Sequence, residues 1–316
     1  MKRQEEFATA LSGLKGQDWL DVLDELAEEL GYFEPLGPSH FAAFIDQSAT
    51  LLVSFDSHQN ICRRDEHCAP AGWATAQANG WSHLALISDG NTWFRDPHIY
   101  DFFDRLVDDG FFENYDRVVF YGSGMGGYAA AVFSVASPGA TVVALQPQST
   151  LAADKAAWDT RFPRMRRTDF STRYGYAPDM IEGAGKVFIL HDPLEAFDAM
   201  HASQFDAPHV YHHRVRLMAR DLDSELRLMD CLQPLLEKAA LGTLSLTTIA
   251  RILRIRRDYP RYIRRLLNRL QDEENTYREA MVCRNYVQRG AGSRFRTRLE
   301  ALVSGGVRLP ALEAVY

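Results

Sequence analysis

Apolar and polar positions fall into two regimes along the chain. As far as residue 240, short apolar runs alternate with amphipathic stretches; beyond it the runs cease and only a helical period remains. Trp19, Leu20, Val22, Leu23, Leu26 and Leu30 recur at helical spacing with acids between them, which predicts a helix over 18–30, ended by Gly31. Six runs then read as strands: TLLVSF at 50–55, HLALIS at 83–88, RVVFY at 117–121, TVVAL at 141–145, KVFIL at 186–190, and 209–211. They are continuous and β-rich rather than alternating, the pattern of strands covered on both faces. Segments 97–109, 125–136 and 194–203 are long enough for crossover helices. This alternation predicts an α/β fold, a doubly wound, mostly parallel sheet preceded by an N-terminal helix.

The stretch 148–185 is longer than an ordinary connection and carries Arg161, Arg164, Arg166, Arg167 and Arg173. It is expected to lie as an insertion over the carboxyl ends of the strands, where such sheets bind ligands. A further helix is expected over 224–238. Beyond residue 240, Ile263, Leu266, Leu267 and Leu270 share one helical face, and Arg261, Arg264, Arg265 and Arg269 share the other. The arginines are therefore expected to form an exposed stripe. Pro260 separates this helix from one over 249–257. Two parts are expected: an α/β domain over 1–240 and a helical appendage over 241–316.

Composition narrows the class. With 316 residues, 46% apolar and 24% charged, the chain is an ordinary globular one. No run approaches the roughly 20 apolar residues of a spanning helix, and Glu5 and Glu6 stand where an export signal would be apolar. Four cysteines make no disulfide scaffold. A cytoplasmic protein is expected. The net charge of −7 hides an asymmetry: residues 251–316 hold 15 Arg and no Lys against 7 acids, or +8, leaving 20 bases against 35 acids, or −15, in the rest. A basic tail can serve an anionic or a protein partner. The absence of a recognised nucleic-acid module and the acidic body argue against nucleic acid. A homo-oligomer is compatible with this composition.

The most informative stretch is VVFYGSGMGGYAAA at 118–131, a strand entering Gly122, Ser123, Gly124, Met125, Gly126 and Gly127, and then a helix. A nucleophile elbow, G-x-S-x-G, needs this geometry to lift a serine beside backbone donors. A dinucleotide fingerprint, G-x-G-x-x-G, needs it to bring a pyrophosphate to a helix N-terminus. Gly122, Gly124 and Gly127 match the second spacing, but the turn follows the third or fourth expected strand and no acid ends the next one.

With these residues the chain resembles the α/β-hydrolase superfamily, in the bacterial branch whose elbow reads G-S-S-M-G-G-Y and whose members often accompany glycan-handling functions. The resemblance covers about 50–239. It implies a nucleophile at Gly124, an acid at Asp192 in KVFILHDP, and a histidine at Asp221 ahead of the last helix. Glycine cannot attack, and an aspartate is a poor acceptor for a hydroxyl proton at neutral pH. Ser123, His191 and His212 are the substitutes in reach. The chain is also similar, over nearly its whole length, to uncharacterised alphaproteobacterial proteins that share WFRD, YGxGMGGYAAA and LQPQ, some labelled phosphoadenosine phosphosulfate reductase. That activity implies an S-G-G-K-D-S-like loop and a reactive cysteine. Here no Lys follows the turn, and Cys283 stands in AMVCRNYV.

The expectation is a catalytically impaired α/β-hydrolase-fold protein that binds an anionic small molecule or a glycan-related ligand, at Gly122, Gly124, Met125, Gly126, Gly127, Trp93 and Arg95. The alternatives are an active enzyme with a non-standard triad, or the reductase of the label, and a scaffold acting through its basic tail. His58, Cys62, His67 and Cys68 crowd together, but five residues between the cysteines do not suit a structural zinc site, and no metal is expected. No cofactor is assigned.

Overall fold

The computed structural model describes residues 11–64, 68–218, 220–290 and 292–310. Eight strands form one sheet: β1 (Gly31–Pro35), β2 (His40–Ile45), β3 (Thr50–Ser57), β4 (Ser82–Ser88), β5 (Arg117–Ser123), β6 (Thr141–Leu145), β7 (Lys186–His191) and β8 (Val210–Arg214). Their order is β1-β2-β4-β3-β5-β6-β7-β8. β2 runs antiparallel to both its neighbours, and β3 to β8 are mutually parallel. This is the α/β-hydrolase type of doubly wound sheet.

Six of the strands are the expected ones. β1 and β2 form an additional antiparallel hairpin, closed by Leu36 N donating to His40 O at 2.7 Å. The glycine-rich turn therefore follows the fifth strand, not the third or fourth.

Alternate residues of the inner strands feed two cores. The helices that cover them are α1 (Gly16–Glu28), α2 (His58–Arg64), α3 (Trp73–Asn79), α4 (Pro97–Asp108) and α5 (Met125–Phe133). Ala42, Phe44, Leu84 and Leu86 face one side, with Ile99, Phe102 and Phe103 of α4 and Tyr128 to Phe133 of α5. Ala43, Ile45, Ala85 and Ile87 face the other, with Trp19, Leu23 and Ala27 of α1, Ile61 of α2 and Trp73 of α3. Continuous apolar strands are what this double coverage requires.

Helix α6 (Ala196–Ala202) follows β7. The helix expected over 224–238 is two helices, α7 (Leu222–Leu228) and α8 (Leu232–Ala240), and Asp230 between them turns at φ 54°. Helix α9 (Leu246–Ile252) then gives way to 3-10 turns over Leu253–Asp258.

The chain divides into two compact units between Leu253 and Arg254. The second contains α10 (Pro260–Asp272), α11 (Thr276–Gln288) and α12 (Ser293–Ser304). On α10, Ile263 and Leu270 are buried and Leu266 and Leu267 half-buried, while Arg261, Arg264 and Arg269 are exposed and Arg265 is half-buried.

Candidate functional site

β5 ends in a sharp turn into α5, and Gly124 is the turn residue and N-cap, with φ 56° and ψ −117°. Glycine suits this left-handed backbone because it has no Cβ to clash. The neighbouring glycines serve a different need. A Cβ on Gly122 would lie 2.1 Å from Gly126 O, and one on Gly126 would lie 2.2 Å from Phe55 O. These two let the helix, its own strand and β3 approach closely. A Cβ on Gly124, by contrast, would meet nothing within 4 Å.

Gly124 opens onto a cleft of about 440 Å³ at the carboxyl ends of the parallel strands. Ser123, Met125, Trp93, Gln146, Gln148 and Asp221 also line it. The amides of Met125, Gly126 and Gly127 belong to the first turn of α5, which has no intrahelical acceptor for them; the first donor to Gly124 O is Tyr128 N, at 3.0 Å. The amide of Gly124 itself donates to Leu145 O at 2.8 Å, which fixes the turn against β6.

Two wall residues hold backbone that side chains ordinarily avoid: Trp93 at φ 52° and Gln146 at φ 48°. Such outliers persist where surrounding structure fixes them. Phe94, also at φ 52°, is anchored in the core, and its amide donates to Thr92 Oγ1 at 3.1 Å. The side chain of Gln146 donates to Asp198 Oδ2 at 2.7 Å and accepts from Leu222 N at 2.8 Å. Trp93 Nε1 and Gln148 Oε1 are buried without a hydrogen-bond partner among the described residues.

An ionic network forms the wall below. Arg64 reaches Asp56 and Asp223, and Asp223 also accepts from the Tyr121 hydroxyl and from Arg227. Burial alone would raise the Asp223 pKa, but Arg227, Arg64 and the Tyr121 hydroxyl hold it well below the usual carboxylate range. Burial, with Asp223 beside it, pushes the Tyr121 phenol up. Arg161 is likewise committed, to Asp159 and Asp198. Arg63 differs. It is exposed on the cleft and bonds only Asn60 Oδ1, at 3.1 Å, with no carboxylate among the described residues.

The structure thus gathers Gly124, Met125, Ser123, Trp93 and Asp221 around one cleft. Asp221 is the N-cap of α7, accepting from Ser224 N at 3.1 Å and Ser224 Oγ at 2.8 Å. Gly122, Gly126 and Gly127 lie buried behind the cleft. Asp192 is spent on backbone: its two oxygens accept from Leu194 N at 3.0 Å and Met218 N at 2.9 Å. Arg95 is tied to the insertion, donating to Asp169 O at 3.0 Å, Arg173 O at 2.5 Å and Thr172 Oγ1 at 2.9 Å. His191 is buried, which lowers its pKa, and packs edge-on against His212 at 6.4 Å. His212 donates to Phe205 O at 2.9 Å. None of Asp192, Arg95, His191 and His212 lines the cleft. Of the crowded thiols and histidines, His67 lies outside the described residues, and no group of three or more potential ligands forms among the described ones.

One constellation has no sequence signal. Ser149 Oγ lies 2.9 Å from His201 Nδ1, and His201 Nε2 lies 3.0 Å from Asp159 Oδ2. Serine, imidazole and carboxylate are in the contact order of a catalytic triad. All three side chains are buried, however, and Ser149 Oγ also donates to Gln204 Oε1 at 3.0 Å. Burial lowers the His201 pKa. The cluster pins the insertion to α6 in the buried interior.

No family model matches the chain, and no curated protein matches it in sequence. Several solved structures are similar in fold. EstE1, a thermostable carboxylesterase from a metagenomic library, is 14% identical with TM-score 0.44, over 73% of this chain and 97% of its own. A Pyrobaculum calidifontis esterase is 14% identical with TM-score 0.42, over 77% and 93%. The capsule O-acetyltransferase of Neisseria meningitidis serogroup A is 11% identical with TM-score 0.42, over 64% and 94%.

Proposed function

We propose that this chain is a catalytically impaired, hydrolase-type α/β protein that binds a small anionic ligand in the Gly124 cleft. The observation that carries this reading is the empty apex of the turn. Gly124 keeps the strained backbone of an elbow, with room for a side chain and none present. What remains is the half of the machinery that stabilises negative charge. The amide of Met125, which lines the cleft, and the positive end of the α5 dipole favour an anion. Arg63 supplies a cation that pairs with no carboxylate among the described residues.

Trp93 Nε1 and Gln148 Oε1 offer the ligand one donor and one acceptor, each of which costs stability while unpartnered. Attack on an acyl carbon lacks both nucleophile and base, because Gly124 has no side chain and Asp221 is an aspartate engaged by Ser224. An anion therefore binds and stays intact.

Calorimetric titration of the whole chain with inorganic phosphate, sulfate and acetate tests this. Saturable binding that Trp93→Phe and Arg63→Ala each weaken at least about tenfold, or 1.4 kcal/mol, supports it. Absence of binding by all three, or binding indifferent to both substitutions, contradicts it.

A further inference from the structure

The second unit contains a larger cavity, of about 960 Å³, lined by α10, α11 and α12 and unrelated to the Gly124 cleft. Its size is within the range of small-ligand sites, about 300–1,000 Å³, and bundle helices are a common place for them. Ile263 and Leu267 from α10, Tyr286 from α11 and Phe295 from α12 give it an apolar wall.

Its charges do not cancel. Arg298 is neutralised by Glu279, through bonds of 2.8 Å from Nε and 2.8 Å from Nη2. Asp258, the carboxylate at one end of the lining, is neutralised by Arg289. Arg264 and Arg294 line the same cavity, are exposed, and pair with no carboxylate among the described residues. The result is an apolar trough with two surplus guanidiniums, on a polypeptide segment that is itself basic.

We propose that this cavity binds an alkyl-chain anion, the chain lying along Ile263, Leu267 and Phe295 and the headgroup meeting Arg264 or Arg294. Burying alkyl carbons is favourable in proportion to the apolar area removed from water, and a guanidinium is suited to a carboxylate by its forked donors. A neutral amphiphile of the same length gains only the first part, and a cationic one is in addition repelled by the two guanidiniums.

Titration calorimetry on the full chain, with laurate, dodecanol and dodecyltrimethylammonium below their micelle concentrations, decides the matter. With saturating acetate present to fill the Gly124 cleft, the expected result is one saturable site for laurate, no measurable site for the cation, and a loss of at least about tenfold in the double variant Arg264→Glu/Arg294→Glu. Leu267→Asp should abolish binding. If that variant fails to fold by circular dichroism, the arginine double variant, at exposed positions, still carries the test. Trp93→Phe, in the other cleft, should leave laurate binding unchanged. Equal binding of the cation, no binding of laurate, or a dependence on Trp93 overturns the proposal.

Discussion

A methyl group at residue 126 would sit 2.2 Å from Phe55 O, whereas one at residue 124 would meet nothing within 4 Å. Two glycines of one turn should therefore respond differently. Gly126→Ala should lower stability by at least about 3 kcal/mol, the upper end for overpacked interiors, because backbone must move. Gly124→Ala should cost only the left-handed backbone penalty, about 1–2 kcal/mol. Urea unfolding of both variants checks this, and equal costs would show that the turn is not held as described.

His83 makes a second prediction at this scale. Burial pushes its pKa from 6.5 down to about 3, with Ser54 Oγ at 2.8 Å from Nε2. Between those two values the unfolded chain binds a proton that the folded chain does not, so stability falls as pH falls through this window. One such site contributes about 1.4 kcal/mol per pH unit. His83→Gln, which keeps a partner for Ser54, should flatten the acid slope by that amount, and an unchanged slope would place the titration elsewhere.

At the scale of elements, α2 and α7 are fastened beside the cleft by Arg64, which joins Asp56 to Asp223. Arg64→Met leaves two buried carboxylates without it, and the cost of breaking a buried pair is about 3–5 kcal/mol. Denaturant unfolding at pH 7 should show a loss of that size; less than about 1 kcal/mol would mean the network is looser than its geometry.

Elements also differ in how far they can be read from sequence. β3 to β7 are legible because strands covered twice must be apolar throughout. β1 and β2 are not. GYFEP is a half-exposed edge strand between a glycine and a proline, and HFAAFI owes its place to β4 rather than to β-branched residues. The break at Asp230 is invisible for another reason, since an exposed aspartate tolerates φ 54° without demanding it. The elbow was legible because its glycines are demanded locally. The Ser149–His201–Asp159 cluster and the Arg64 network were not, because the bonds that close them, His201 to Asp159 and Arg64 to Asp223, span 42 and 159 positions and only the fold joins them.

For the whole molecule, we propose a ligand in each of the two units and no hydrolysis at the Gly124 cleft. Activated esters such as p-nitrophenyl acetate should not be turned over. Robust turnover abolished by Ser123→Ala would show that Ser123, which lines the cleft, is a nucleophile after all. The basic second unit should not retard DNA or RNA in a gel at about 50 mM salt, conditions that favour any phosphate contact through counterion release. Micromolar retardation that disappears when Arg261, Arg264, Arg265 and Arg269 are replaced would reassign that surface to nucleic acid.

We propose that the Gly124 apex stabilises negative charge, and a thiol placed there reports it. Gly124→Cys has room for its side chain, and the thiolate would lie at the N-terminus of α5 beside the Met125 amide. Two native thiols titrate far above this range: burial pushes Cys62 and Cys231 up to about 11. The difference in ultraviolet thiolate absorbance between variant and parent should therefore isolate the new group. A pKa at least about one unit below the ordinary thiol value of 8.5 is the predicted result, and one at or above 8.5 would contradict the account.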